Sequence, residues 1–156
     1  LSTHAIAATL TVGNSGADYT TIQEAINNST DGDVIDVNTD TYSEALEFNG
    51  RQLTVLGNQS WLLPPTATDA IRWLNSADAA VSDFQILPNG GRAFFSQNSE
   101  ASITGCTVSG AGNGANLNGG AIYVDGGSLS LSSTQLDTSN GAWGGSVFAT
   151  NHQFEN

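Results

Sequence analysis

One six-residue phrase is written five times along this chain. "ALEFNG" begins at Ala45, "AIRWLN" at Ala70, "AFFSQN" at Ala93, "AIYVDG" at Ala121 and "SVFATN" at Ser146, so the steps are 25, 23, 28 and 25 residues. A near-constant period restricts the fold to architectures that stack one supersecondary unit on the next. Aligned, the second column holds Leu46, Ile71, Phe94, Ile122 and Val147, and the fourth holds Phe48, Trp73, Ser96, Val124 and Ala149. Alternate residues of a strand share a side, so these two mostly apolar columns are expected to point inward and the first and third outward.

Each copy ends on a pair suited to a sharp bend: Asn49-Gly50, Leu74-Asn75, Gln97-Asn98, Asp125-Gly126 and Thr150-Asn151. Gly and Asn tolerate the left-handed backbone that such a bend requires. A second strand follows, in "QLTVL" from Gln52, "AAVSD" from Ala79, "ASITG" from Ala101 and "SLSLS" from Ser128. A third apolar piece recurs around Phe84 and Ile86, Cys106 and Val108, and Thr134 and Leu136. Three short strands per repeat with no helix between them exclude a βαβ fold. A sandwich of hairpins would need antiparallel turn signals and would leave the aligned columns unexplained. The expected fold is all-β, a parallel β-helix of about five coils over residues 9–156, with residues 1–8 as leader or coil.

The first coil of such a stack needs a cap. "YTTIQEAINNST" supplies one, with Ile22, Ala25 and Ile26 at helical spacing behind a Thr21-to-Glu24 capping-box pattern. "TLTVG" before it and "DVIDV" after it read as strands leading into the first coil. Asp31, Asp33 and Asp36 resemble calcium ligands in type, but their spacing is not that of an EF-hand loop, and turn chemistry explains them. At the other end "HQFEN" places Phe154 on the column of Leu53, Ala101 and Leu129. The expectation there is an open coil, covered by further chain or by self-association.

Composition narrows the partners. The chain has 156 residues, 38% of them apolar, and its three basic residues face 15 acidic ones for a formal charge of −12. The basic residues are Arg51, Arg72 and Arg92. Such a charge repels phosphate backbones and anionic lipid, which argues against nucleic acid as a partner. No apolar run approaches the ~20 residues of a membrane span. Ala5-Ile6-Ala7 has the small-x-small form of a secretory cleavage site, and the Ser-, Thr-, Asn- and Gly-rich composition suits an extracellular or cell-surface location.

Two resemblances rest on particular residues. "YTTIQEAI", "GDVIDV" and "DTYSEALEF" together resemble the opening of pectin methylesterases and, more broadly, of the pectate-lyase-like superfamily, with Tyr42 and Glu44 matching a Gly-x-Tyr-x-Glu phrase whose Gly is replaced by Asp40. Gly119-Gly120-Ala121-Ile122, Phe95 to Asn98 and Phe148 to Asn151 resemble the repeat signatures of polymorphic outer-membrane-protein adhesins, from which Gly144-Gly145-Ser146-Val147 departs by one Ser. Both groups imply a right-handed β-helix. The first implies polysaccharide chemistry and the second adhesion.

The residues favour adhesion over catalysis. None of the later methylesterase phrases occurs, so that family's catalytic positions have nothing to map onto. Asp83 in "SDFQI" is expected to be an isolated outward carboxylate. His4 and His152 lie at the extremes of the chain, and Cys106 sits on a core column, so no nucleophile triad suggests itself. No Cys and His spacing suits a metal, no motif calls for a cofactor, and "GAGNGANLNGG" joins no strand to a helix as a phosphate cradle does.

What remains is the outward third column, Glu47, Arg72, Phe95, Tyr123 and Phe148. Three aromatics on successive rungs would form a strip at roughly 5 Å spacing, and aromatic groups serve sugar rings and protein interfaces alike. The candidate binding residues are therefore Arg72, Phe95, Tyr123 and Phe148, with a glycan or a surface protein as the partner. The expected function is a recognition or adhesion module. The alternatives are part of a polysaccharide lyase, hydrolase or esterase, and a structural, self-assembling spacer. Regular Thr-x-Thr columns of the ice-binding kind are absent, and "NST" at Asn28 and "NQS" at Asn58 permit glycosylation in a secretory eukaryotic host.

Overall fold

A computed structural model of the chain describes residues 6–112, 118–137 and 147–150. Strand β1 (Thr9–Val12) leads to helix α1 (Ile22–Asn28), and β2 (Val34–Val37) and β3 (Thr41–Tyr42) follow. The next coil is β4 (Leu46–Asn49), β5 (Thr54–Leu56) and β6 (Trp61–Leu62), and the one after it β7 (Ile71–Leu74), β8 (Ala79–Ser82) and β9 (Gln85–Ile86). Then come β10 (Phe94–Thr104) with β11 (Thr107–Ser109), β12 (Ile122–Ser132) with β13 (Gln135–Asp137), and β14 (Val147–Thr150). Every pairing between these strands is parallel, and together they wind a β-solenoid of about five turns.

The solenoid has three faces. Face one stacks β4, β7, the first half of β10, the first half of β12, and β14. Face two stacks β1, β2, β5, β8 and the second halves of β10 and β12. Face three stacks β3, β6, β9, β11 and β13. The register of face one is the one the repeated phrase dictates, with Leu46, Ile71, Phe94, Ile122 and Val147 in one ladder and Phe48, Trp73, Ser96, Val124 and Ala149 in another.

The bend between faces one and two is set by stereochemistry. Gly50, Asn75, Asn98 and Gly126 hold φ of 73°, 53°, 47° and 72°, the left-handed region that only Gly and a few polar residues occupy readily. In β10 and β12 the strand does not break there: each runs 11 residues through both faces, where two separate strands were expected. Gly127 is obligatory, because a Cβ on it would lie 2.1 Å from the Ser99 carbonyl oxygen.

The core fills from all three faces: Ile35, Val55, Val81 and Ile103 from face two, and Tyr42, Leu62, Ile86 and Val108 from face three, are buried. Face one contributes the aromatics, with Phe48 and Trp73 at 5.7 Å and Trp73 and Phe94 at 6.1 Å between ring centroids. One expectation needs correcting. Ala70, Ala93 and Ala121, on the supposed outward first column, are buried. They precede the first residue of β7, β10 and β12, so they sit in the bend into face one, and strand alternation does not reach them. Only a methyl group is needed to close that corner against the core.

The first coil is closed by side chains. The Gln23 amide accepts from Glu47 N at 2.7 Å and donates to Glu47 O at 3.2 Å, copying a peptide group along the free edge of β4. On β1, the Asp18 carboxylate accepts from Thr11 N at 2.8 Å and Tyr19 N donates to Thr11 O at 3.0 Å. On β3, Asp40 accepts from Thr41 N at 2.7 Å. Helix α1 buries Ile22, Ala25 and Ile26 over the core, and Thr21 Oγ1 accepts from Glu24 N as the capping pattern requires. Glu44, rather than Glu24, completes that cap: its two oxygens accept from Ile22 N at 2.9 Å and Gln23 N at 2.8 Å. The Arg51 guanidinium donates to the Asn27 and Ser29 carbonyls at the other end of the helix.

At the last described rung of their ladders, Leu131 and Val147 are 42% and 47% exposed, whereas Ile103 and Ile122, one rung earlier, are buried. Phe154, His152 and the turn residue Asn151, like His4 and the middle of "GAGNGANLNGG" (113–117), lie outside the described residues.

Candidate functional site

Face one lines up Glu47, Arg72, Phe95, Tyr123 and Phe148 on its outer side in one register. All five are half-buried. Phe95 and Tyr123 stack with centroids 5.0 Å apart and planes 6° from parallel, and Tyr123 and Phe148 with 5.5 Å and 12°. In-register pairing forces this, because like residues on adjacent rungs are brought to about the 4.8 Å strand spacing. The expected spacing is there, but the strip is not a flat platform. Each ring's face meets its neighbour, and ring edges point outward.

The stack continues into charge. The Arg72 guanidinium carbon lies 5.1 Å from the Phe95 centroid, and Arg72 pairs loosely with Glu47 at 3.9 Å. The sequence reading missed a second cation. Arg92, from the bend before β10, holds its guanidinium carbon 5.0 Å from the Phe95 centroid and 5.1 Å from that of Tyr123. It is fixed there by a two-pronged pair with Asp69, Nε to Oδ1 at 2.9 Å and Nη2 to Oδ2 at 3.2 Å, and by Nη1 donating to Asn118 O at 3.1 Å. Each cation on a ring contributes about 0.5–1 kcal/mol at such sites. The signal was present in the sequence, since Arg92 stands three residues before Phe95, but a long side chain that reaches forward past a bend is invisible to column counting. Beside the ladder a second outward column holds Asn49, Leu74, Gln97, Asp125 and Thr150, with Gln97 Nε2 at 3.4 Å from Asp125 Oδ2.

Other titratable groups hold backbone. Asp33 accepts from Thr30 N and Ala8 N, both at 2.7 Å, and the Thr30 amide chiefly holds its carboxyl below the usual value. Asp18 is lowered likewise by the Thr11 amide. Burial raises the Tyr42 phenol, whose hydroxyl donates to Asn38 O at 2.8 Å, and pushes the Cys106 thiol up to about 11. Asp31 accepts from Gln52 N and Asp36 from the Asn58 side chain, so the three acids of "DGDVID" serve separate turns. No group of three metal-ligating side chains occurs among the described residues. Asp83 is half-buried at a left-handed position (φ 57°), with its Oδ1 packed where a Cβ on Gly105 would sit, so it shapes the bend into face three. The amide nitrogens of Asn28 and Asn58 donate to Glu24 O and to Asp36 and Val37 O.

No protein-family model, curated protein or solved structure matches this chain. The likenesses to pectin methylesterases and to the outer-membrane adhesins therefore have no family match behind them. In this structure, of the two residues of the first likeness, Glu44 caps the helix and Tyr42 is part of the core, its hydroxyl donating to Asn38 O.

Proposed function

We propose that this chain is an extracellular or cell-surface recognition module of the adhesion class, which binds glycan through face one. One observation carries the reading: of three basic residues in a chain of charge −12, two converge on a single outward aromatic ladder, beside a column that offers Asn49, Gln97 and Asp125. The Arg72 guanidinium and the Asn49 and Gln97 amides present planar, paired hydrogen-bonding groups to neighbouring hydroxyls, Arg92 holds the rings in place, and ring edges supply apolar contact carrying the positive side of the aromatic quadrupole. A second reading, a spacer without a ligand, draws on the same ladder, because rings that stack on one another stiffen the sheet with no partner present.

Affinity electrophoresis through neutral and acidic polysaccharides separates the two. The native chain is expected to be retarded, and an Arg72→Ala/Gln97→Ala variant to lose that retardation in the acidic gels while its melting temperature falls by only about 2–4 °C, the worth of the lost contact with Phe95. Migration of the native chain unaffected by every polysaccharide sinks the glycan reading and leaves the spacer.

A further inference from the structure

We propose that face three carries a second glycan site, centred on Trp61, which takes a neutral polysaccharide running along the solenoid axis. It is distinct from the ladder of face one and does not depend on that reading. Trp61 is 42% exposed, unusually so for a residue of its size on a sheet. Among the described residues no aromatic ring or cation lies against its indole, in contrast to every ring of face one. Neither a ring nor a cation takes up its exposed part, which can therefore meet the apolar face of a sugar.

Its neighbours fit the same ligand. Trp61 is in register with Thr41 on one side and Gln85 on the other, and the column continues to Thr107. Among the described residues, the side chains of Thr41, Gln85 and Thr107 make no hydrogen bond within the protein, so their donors and acceptors are open to hydroxyl groups. The residues just past β6 and β9 are Leu63 and Leu87, the latter 44% exposed. With Pro64, Pro88, Asn89 and Gly110 they line a cleft of about 390 Å³.

Charge selects the occupant. From β3 to β11 these outward positions carry no charged residue, in a chain whose formal charge is −12; Asp137 on β13 is the first. An uncharged surface built from one exposed indole, leucines, hydroxyls and an amide suits a neutral polymer with alternating hydroxyl and C–H surfaces. It offers nothing to a polyanion. Rungs repeat at about 4.8 Å, close to the advance of an extended pyranose chain per sugar, so one sugar on Trp61 places the next over Gln85.

The test uses the full chain, a Trp61→Ala variant and a Phe95→Ala/Tyr123→Ala/Phe148→Ala variant, all shown to be folded by circular dichroism. Each is run through hydroxyethyl cellulose, laminarin and polygalacturonate, and titrated with cellohexaose while tryptophan emission is followed. The expected result is retardation in a neutral gel that falls at least tenfold in Trp61→Ala and persists in the ladder variant. A blue shift of emission with cellohexaose should be lost only in Trp61→Ala. If the ladder variant loses neutral binding and Trp61→Ala keeps it, the second site is overturned while the face-one reading stands. The converse is the expected result: it assigns neutral binding to Trp61 and leaves the face-one reading to be decided by the acidic gels. Absence of neutral binding in the native chain overturns the second site, and so does equal retardation by polygalacturonate through Trp61.

Discussion

The two sides of face one carry aromatic ladders built by different rules. Inside, Phe48, Trp73 and Phe94 lie 5.7 and 6.1 Å apart with planes tilted by 31° and 27°, drawn from two columns and turned to fill a core. Outside, Phe95, Tyr123 and Phe148 come from one column and stack within 12° of parallel. Packing in three dimensions decides the inner geometry, whereas strand register alone decides the outer. The inner ladder should therefore carry stability, and the outer one mainly order along the axis.

Four experiments bear on that contrast. Trp73→Ala, which empties a fully buried site, is expected to cost about 3–5 kcal/mol in urea unfolding. Asp69→Ala releases the fork that fixes Arg92 over the outer ladder, and should cost about 1.5–3 kcal/mol, the range for hydrogen bonds to charged groups. Tyr123→Ala removes two stacked pairs worth about 0.5–1.5 kcal/mol each, so about 1–3 kcal/mol in all. If that variant is as costly as Trp73→Ala, the division between the two ladders fails; a double-mutant cycle with Phe95→Ala reads the stacking directly.

The smallest effect concerns reactivity. Because the Cys106 thiol is raised in the folded state to about 11, its neutral form is favoured, and that contribution to stability is complete below the unfolded value near 9 and fades as pH rises through 11. Iodoacetamide at pH 8 should leave native Cys106 unmodified and label the urea-unfolded chain. Native labelling would mean that the core behind face three opens readily.

The sequence discloses what depends on period and side alternation. The five columns, their register, the left-handed corners at Gly50, Asn75, Asn98 and Gly126, and the helical cap all follow from residue types at fixed offsets. It is silent where the chain leaves the period. The burial of Ala70, Ala93 and Ala121 depends on the strand starting one residue later than the repeated phrase. Arg92 reaches its rings from a bend, and Glu44 caps a helix from more than 20 residues away. The candidate residues Arg72, Phe95, Tyr123 and Phe148 do come together, but knowing that they share a column does not reveal that their rings would use one another's faces. Trp61 went unnoticed for the opposite reason: a two-residue strand is too short to declare an alternation.

The side chains that close the first coil also give the molecule a direction. Gln23, Asp18 with Tyr19, and Asp40 occupy hydrogen-bonding groups on the outermost strand of each of the three faces, so a foreign strand arriving at that end meets a pairing position already taken on every face. A primary amide here does the work of a peptide bond without belonging to a strand, and so cannot be copied into a further layer. Recruitment of another chain by strand addition is thereby directed to the opposite pole, and a duplicated coil can enter only behind this cap.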